Sequence, residues 1–375
     1  MNSKKIVSLA VLLALAIAVI VVVKTLGNRE PSEESQKFFP GATEKMIGSV
    51  LIKDAQNQVL LKRKGDAWFL VTKDGIPAAT KKGAGLANAI GEPDAGSKKT
   101  DAGVSGSEFP ADSAIMAQVL QNIVSMRKNT LISENPANQS AFEVDSARGC
   151  NVEAFDINGK PLGNVLLGKN GADYNSIYAR SVGSNTVYLM LEVSRTTFAT
   201  DNNRWTDKSI LKFDKATVKQ VSIAKKGAPA MMIAKGDSAH KGWQLLAPPR
   251  KVKDTAGLDS AKVDELLSSL SSLMATEYEY GPIADSTSGL SDPSITVSIG
   301  FAGGTTRTIA VGNLKSGQSK YWLKVPEKPY VYLINDFDQK KWDKKPEEFE
   351  KQPLKPITAV PAPVPAKFKM PLKKK

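Results

Sequence analysis

The sequence predicts an α+β protein with two tandem repeated units, each an antiparallel sheet with one main helix, behind an N-terminal transmembrane helix. Three observations predict this architecture: a motif that recurs 144 positions further along the chain, two matching helical runs, and an uncharged apolar run over residues 6–23. No cluster of reactive side chains along the chain identifies a chemistry. The sequence therefore describes the organisation of the protein better than its activity.

The apolar run 6–23 predicts a membrane anchor. Its 18 residues would extend roughly 27 Å as a helix, close to the thickness of the hydrocarbon core. We expect Ile6, Leu12 and Val23 to lie in the inner (cytoplasmic) membrane as part of a single span. Residues 1–5 would stay in the cytoplasm and the body would lie on the extracytoplasmic or periplasmic side, as is usual after a short positive N-terminus. A cleaved signal peptide is the rival interpretation, although the run has no small-x-small cleavage site.

The remaining chain divides by composition. Residues 24–45 are predicted to be a linker, 46–212 the first repeated unit and 213–350 the second. The segment 75–106 in the first unit is rich in Gly, Ala, Lys and Asp and lacks an apolar period, which is typical of a flexible surface insertion. Residues 351–375 alternate proline with lysine and small apolar residues, which predicts a disordered tail.

The duplication rests on a constant offset. The words NTVYLM from Asn185 and PYVYLI from Pro329 are similar, and chance similarity would not continue upstream at the same spacing. The pairs that lie 144 positions apart are Gly159 and Gly303, Gly168 and Gly312, Tyr178 and Trp322, and Tyr188 and Tyr332. One unit is therefore expected to occur twice.

Each unit contains one predicted helix, DSAIMAQVLQNIVSM from Asp112 and DSAKVDELLSSLSSL from Asp259. Aspartate is a good N-cap residue. Apolar residues recur at helical spacing along one face of each helix, which predicts that the helix packs on a sheet. They are Met116, Val119, Leu120, Ile123 and Met126 in the first helix, and Val263, Leu266, Leu267, Leu270 and Leu273 in the second.

Strand patterns surround both helices. AWFLV and GWQLL precede them, while NVEAFDINGKPLGNVLLG and ITVSIGFAGGTTRTIAVG follow and indicate strand, turn and strand. We interpret the tryptophans as core anchors, because large aromatic side chains contribute most to core burial. The pairs assigned between the units are Trp68 with Trp243, Trp205 with Trp342, and Tyr178 with Trp322.

Catalytic motifs are present only in incomplete forms. GNVLLGKN (163–170) resembles a P-loop but has Asn170 in place of Ser or Thr and continues a strand, so we interpret it as the end of a hairpin strand. Ser-x-x-Lys matches at Ser209 and Ser238 lack their companion motifs. His240, the only histidine, lies in a polar turn. We predict no catalytic, cofactor-binding or metal-binding residues and no enzymatic activity, although paired carboxylates could still meet in the fold.

The net charge of +13 is concentrated at the two ends of the chain. Residues 1–30 hold four basic residues and one acid, and 351–375 hold seven lysines and no acid, which leaves a body with 40 basic and 37 acidic residues. This distribution predicts no nucleic-acid partner. The lysines of the tail are candidates for electrostatic contact with anionic lipid or cell-wall polymer. They are Lys367, Lys369, Lys373, Lys374 and Lys375.

Several features together resemble the bacterial domain-of-unknown-function family 4340. They are the tryptophan strand with its capped helix, the strand ending in Leu-Gly, the VYLM and VYLI strands, and the junction WTDKSILKFD at 205–214. The resemblance implies one N-terminal membrane helix and association with gliding-type ABC transporters, beside a permease and a related auxiliary protein. It supplies no catalytic residues.

Two functional hypotheses follow. The first is a non-enzymatic, membrane-anchored extracytoplasmic scaffold, an auxiliary subunit of an ABC-type transport complex. The second is a cell-envelope polymer-binding protein or glycan-processing enzyme, suggested by the predicted external location, the basic tail and the exposed acids. Co-purifying membrane proteins would favour the first hypothesis, and retention of the body on cell wall would favour the second.

Overall fold

The computed structural model describes residues 33–72, 108–173, 175–236, 242–248 and 258–351, together with Ile17. The first unit forms a nine-stranded antiparallel sheet with the order β4-β3-β2-β1-β6-β7-β8-β9-β5. Its strands are β1 (Ile47–Lys53), β2 (Gln58–Lys64), β3 (Ala67–Val71), β4 (Glu108–Pro110), β5 (Thr130–Ser133), β6 (Cys150–Asp156), β7 (Pro161–Asn170), β8 (Ser176–Ser181) and β9 (Val187–Leu191).

The second unit forms an eight-stranded antiparallel sheet with the order β12-β11-β10-β14-β15-β16-β17-β13. Its strands are β10 (Val218–Lys225), β11 (Met231–Lys235), β12 (Trp243–Ala247), β13 (Glu277–Tyr278), β14 (Ile295–Phe301), β15 (Thr306–Leu314), β16 (Lys320–Lys324) and β17 (Val331–Asn335). Read from β3 and from β12, the two strand orders are the same. The predicted duplication into two sheet units is therefore confirmed, and β4 is the additional strand of the first sheet.

One main helix follows the tryptophan strand in each unit: α1 (Ser113–Ser125) and α3 (Ser260–Ser271). The predicted caps are confirmed, because the carboxylate of Asp112 accepts hydrogen bonds from the N–H groups of Ala114 and Ile115, and that of Asp259 accepts one from Ala261. The predicted apolar faces are buried. Burying one such side chain stabilises by about 1.5–3 kcal/mol, more than helix propensities differ, so packing determines where these helices lie.

The other helical elements are short. They are α2 (Asn202–Trp205), α4 (Asp285–Ser288) and α5 (Asp336–Trp342), with 3-10 turns at Glu33–Gln36, Pro136–Asn138, Arg195–Phe198, Lys215–Thr217 and Pro346–Phe349. Most of the ordered architecture is thus β-sheet. Within the described ranges no helix combines the length and apolar character needed to cross a membrane. The predicted span 6–23 falls outside those ranges apart from Ile17.

All five tryptophans are buried, as predicted, but one pairing between the units was wrong. The N–H of Asp112 donates to the carbonyl oxygen of Trp205 over 2.8 Å, and the N–H of Asp259 donates to that of Phe349 over 2.8 Å. Trp205 therefore corresponds to Phe349, at the same offset of 144. Trp342 lies at this offset from Phe198, which is also buried. The residues around Trp205 and Trp342 are similar, but the two tryptophans do not lie at the constant offset of 144 positions.

The glycines of the repeat have two different roles. A Cβ at Gly168 would collide with the carbonyl oxygen of Phe142, and one at Gly312 would collide with that of Ser288. Both positions therefore require glycine for close backbone approach. In the hairpin turn, Gly159 has φ 81°, and its counterpart with φ 76° is Gly304. The predicted pairing of Gly159 with Gly303 was wrong by one position. The P-loop-like residues 163–170 lie within β7, which confirms the hairpin-strand interpretation.

Residues within the predicted linker 24–45 pack on the first sheet. Phe38 and Phe39 are buried, and the N–H of Phe38 donates to the carbonyl oxygen of Met126 over 3.0 Å. An equivalent bond of 2.9 Å joins Ile210 to Leu273 in the second unit. Each sheet is thus preceded by a segment that hydrogen-bonds to the chain just after the main helix.

Candidate interaction site at the junction of the two units

The two units are joined by residues 205–211, called the junction segment below. On one side, the N–H of Asp207 donates to the carbonyl oxygen of Pro110 in β4 over 2.8 Å. On the other side, the N–H of Ala275 donates to the carbonyl oxygen of Lys208 over 2.7 Å. The Nζ of Lys328 adds a bond of 2.9 Å to the carbonyl oxygen of Ile210. One stretch of backbone therefore hydrogen-bonds to both units.

An aromatic cluster lies beside the junction segment. Phe109 of β4 projects among tyrosines of the second unit, with ring centroids 5.4 Å from Tyr278, 4.9 Å from Tyr280 and 5.6 Å from Tyr330. Tyr332 extends the cluster, 4.8 Å from Tyr278. Aromatic pairs of this kind contribute about 0.5–1.5 kcal/mol beyond the area that they bury. The cluster therefore holds the edge of the first sheet against the second unit.

The tyrosine hydroxyls bind polar groups of the junction segment. Tyr278 donates a hydrogen bond of 2.6 Å to the carbonyl oxygen of Asp207, and the hydroxyls of Tyr280 and Thr206 lie 3.3 Å apart. Burial raises the pKa of Tyr278 and of Tyr332, and it raises the pKa of Tyr280 to about 12. These side chains therefore stay protonated at neutral pH, and Tyr278 keeps the proton that it donates.

A cleft of about 620 Å³ lies between the units next to Tyr280. Residues 53–58, around the turn between β1 and β2, and residues 200–203, at the start of α2, line its first-unit side. Glu277 and Tyr280 line its second-unit side. Most of these side chains carry hydroxyl, amide, carboxylate or ammonium groups. Such a surface can exchange many hydrogen bonds with a polar ligand while offering one aromatic ring.

The carboxylate of Asp54 is fixed at the edge of this cleft. It accepts hydrogen bonds from the N–H groups of Gln56 (2.8 Å) and Asn57 (2.7 Å) and from the hydroxyl of Thr200. Partial burial favours a higher pKa for Asp54, but these hydrogen bonds outweigh it and hold the pKa below its ordinary value. Asp54 is therefore an ionised acceptor, and its low pKa makes it a poor general acid.

One lining residue has an unused acceptor. The Oδ1 atom of Asn203 is buried and has no hydrogen-bond partner among the described residues. Leaving such an atom unpaired costs about 1–3 kcal/mol. The atom is closed to solvent, so a ligand hydroxyl in the cleft would reach it only after the side chain of Asn203 rotates. Nearby, Asp201 caps α2 by accepting a bond of 3.0 Å from the N–H of Asn203, and Glu277 forms an ion pair of 2.9 Å with Lys320.

The predicted site residues lie outside the part of the chain that the structure describes. The anchor residues Ile6, Leu12 and Val23 lie outside the residues that the structure describes, as do His240 and the insertion 75–106. The tail lysines are likewise outside, namely Lys367, Lys369, Lys373, Lys374 and Lys375. Within the described part of the chain, no group of three or more His, Cys, Asp or Glu side chains could hold a metal ion.

The sequence contains local patterns at the junction segment and in the aromatic cluster, but no pattern that indicates the cleft. The words WTDKSILKFD at 205–214 cover the whole junction segment, and TEYEYG at 276–281 carries two of the cluster tyrosines. Phe109 lies far from both in the chain. The cleft is built from three separate segments of the chain, so no local pattern identifies it.

A comparison with known protein families agrees with the division into two repeated units. A family profile described as "Domain of unknown function (DUF4340)" matches residues 104–293 and 257–360, which together cover most of the chain. The chain belongs to this family. The two matches overlap, and each begins shortly before the main helix of one unit, as expected for a repeated structure. A comparison with curated proteins finds no match. The family description specifies no activity for DUF4340 proteins.

Proposed function

We propose that this DUF4340 protein is a non-enzymatic accessory subunit of an ABC-type transport complex. The helix predicted for 6–23 would anchor it in the inner membrane, and its two sheet units would lie on the extracytoplasmic side. A transmembrane permease and a related auxiliary protein are the proposed partners.

The observation that carries this proposal is the construction of the junction. The side chains that converge there, Phe109 with Tyr278, Tyr280 and Tyr330, are used to hold two units together. Hydrogen bonds on both sides of the junction segment add to this connection. Two units joined in this way offer a large surface of fixed shape, which suits a protein that positions other subunits.

The test is purification of the tagged full-length chain from native membranes in mild detergent, followed by mass spectrometry. The matched control keeps residues 1–32 and carries an unrelated folded body. We expect an ATPase and a multi-span permease to accompany the full-length chain and not the control. Recovery of the full-length chain alone would overturn the proposal.

The cleft supports a second candidate, binding of a cell-envelope glycan polymer. Its lining of amides, hydroxyls and carboxylates with one tyrosine ring fits saccharide hydroxyls, and Asn203 offers a buried unpaired acceptor. The lowered pKa of Asp54 suits its carboxylate to accept a hydrogen bond from a saccharide hydroxyl and makes it unsuited to be the general acid of glycoside hydrolysis, a role that needs a raised pKa.

Sedimentation of the body with purified cell wall tests this candidate. We expect Asn203→Ala to weaken retention, while deletion of 352–375 leaves the cleft-dependent part unchanged. If deletion of the tail abolishes retention and Asn203→Ala has no effect, the binding belongs to the tail lysines, and the cleft is not a glycan site.

A further inference from the structure

The edge strand β5 of the first sheet corresponds to the edge strand β13 of the second. Leu131 of β5 lies opposite Tyr188 of β9, and Tyr278 of β13 lies opposite Tyr332 of β17. Because Tyr188 and Tyr332 are repeat counterparts, Leu131 is the counterpart of Tyr278. Each strand is the last in its sheet order. The two edges can therefore be compared residue by residue.

Only in the second unit is the side chain at this position covered. Tyr278 is 3% exposed, because Phe109 of the first unit packs against it. Leu131 is 53% exposed, although it occupies the same place in its own sheet. Within the described residues, β5 pairs with β9 alone. An exposed apolar side chain on an edge strand marks a place where another chain can add to the sheet.

The surroundings of Leu131 form a small amphipathic surface. Tyr188 is half-buried opposite it, and Nζ of Lys128 lies 6.0 Å from the ring centroid of Tyr188 and 5.8 Å from that of Phe38. Thr130 is exposed beside it. We call Lys128, Thr130, Leu131 and Tyr188 the β5 edge surface. It offers apolar contact flanked by one cation, with a strand edge alongside.

The position of this surface relates it to the proposed anchor. The described chain begins at Glu33, which forms an ion pair of 3.9 Å with Arg127, next to Lys128. Nine residues, 24–32, separate Glu33 from the predicted span 6–23. Even fully extended they reach only about 30 Å. If the anchor is as proposed, Glu33 lies within about 30 Å of the membrane, and the β5 edge surface is close to Glu33 through Arg127 and Lys128.

We propose that the β5 edge surface binds an extended extracytoplasmic segment of a membrane-embedded partner, which lies beside β5 and packs an aromatic side chain on Leu131 and Tyr188. The second unit supplies the precedent for the aromatic contact, since the ring of Phe109 packs on the equivalent Tyr278. The partner is thus assigned an aromatic residue like Phe109, and the unpaired edge of β5 favours an extended segment. This inference rests on the proposed function and adds the place of contact.

Site-specific photo-cross-linking in native membranes tests the inference. A photoreactive residue replaces Leu131 in the full-length chain, and the matched control replaces Ile157, which is 68% exposed in the hairpin turn after β6. We expect a cross-link to an integral membrane protein from position 131 and not from position 157. No cross-link from 131, equal cross-linking from both positions, or a cross-link only to a second copy would overturn the inference.

A second measurement separates this inference from the proposed function. In the purification described above, Leu131→Asp should reduce the recovered partner by about tenfold or more, which corresponds to losing the burial of one leucine. Ile157→Asp should leave recovery unchanged. If the partner is recovered equally with Leu131→Asp, the accessory function stands and the assigned surface is wrong. If wild type recovers no partner, the accessory function fails.

Discussion

The two units differ most where one of them meets its neighbour. Gly168 and Gly312 are identical because backbone approaches closely at both, and Tyr188 and Tyr332 occupy the same strand position. At the edge, however, the second unit has Tyr278 and Tyr330 where the first has Leu131 and Thr186. The positions that are alike in both units make contacts inside each sheet, and the positions that differ lie where the second unit meets Phe109 of the first.

The largest expected effect comes from removing the contact that distinguishes the two edges. Phe109→Ala deletes a side chain that is 2% exposed and contacts three tyrosine rings. The free energy of unfolding should fall by about 3–5 kcal/mol in chemical denaturation. Phe337→Ala, the control, removes a ring that is 69% exposed and should cost less than about 1 kcal/mol. Similar losses for both would contradict the role of the cluster.

A second substitution tests what the units share. Gly168→Ala and Gly312→Ala each place a methyl group against a backbone carbonyl oxygen, so each should destabilise by about 1–3 kcal/mol. Gly300→Ala is the control, because a Cβ there would meet atoms of Gln220 at 3.8 Å or beyond, an ordinary contact distance. Thermal unfolding of the three variants measures this. A large difference between Gly168→Ala and Gly312→Ala would break the equivalence of the units.

The N-cap residues of the two main helices allow the two units to be compared through a smaller change in stability. Asp112→Ala and Asp259→Ala should each lower the free energy of unfolding by about 1 kcal/mol. Asp112→Ala should lower the free energy of unfolding more than Asp259→Ala, because the carboxylate of Asp112 accepts two backbone hydrogen bonds and that of Asp259 accepts one. Asp→Asn at either position keeps an acceptor and should restore most of the loss in urea titration. An equal loss with Asn would mean that charge, and not capping, is responsible.

The last prediction concerns a contribution of Tyr280 to stability that changes only at alkaline pH. Burial raises the pKa of Tyr280 to about 12, above the value of about 10 for an unfolded tyrosine. The neutral form is therefore favoured in the folded state, so this contribution to stability is complete below about pH 10 and is lost as pH rises toward 12. Tyr280→Phe should flatten that part of the stability profile. Burial also raises the pKa of Tyr278 and of Tyr332, so an equal loss of stability from pH 10 to pH 12 in wild type and in Tyr280→Phe would contradict the burial of this hydroxyl.

The repeat, the main helices and the core tryptophans could be predicted because each leaves a periodic or constant-offset signal. Phe38 and Phe39 were placed in the linker 24–45, since a single buried turn of chain has no period to detect. Trp205 and Trp342 were predicted to be a pair because the residues around them are similar, although the two tryptophans do not lie 144 positions apart. The junction cluster and the cleft could not be predicted, because Phe109 and Tyr278 are 169 positions apart and contact between them depends on how two finished sheets are placed.

The distance between Phe109 and Tyr278 along the chain affects how the protein folds during its synthesis. The chain emerges from its N-terminus, so Phe109 is present long before the tyrosines that cover it, and the first unit passes through a stage with an uncovered aromatic edge. Domains generally fold as they are synthesised, and such edges bind chaperones or associate wrongly in the meantime. Synthesis that pauses after residue 214 would lengthen that stage, and completion of β17 (Val331–Asn335) would end it.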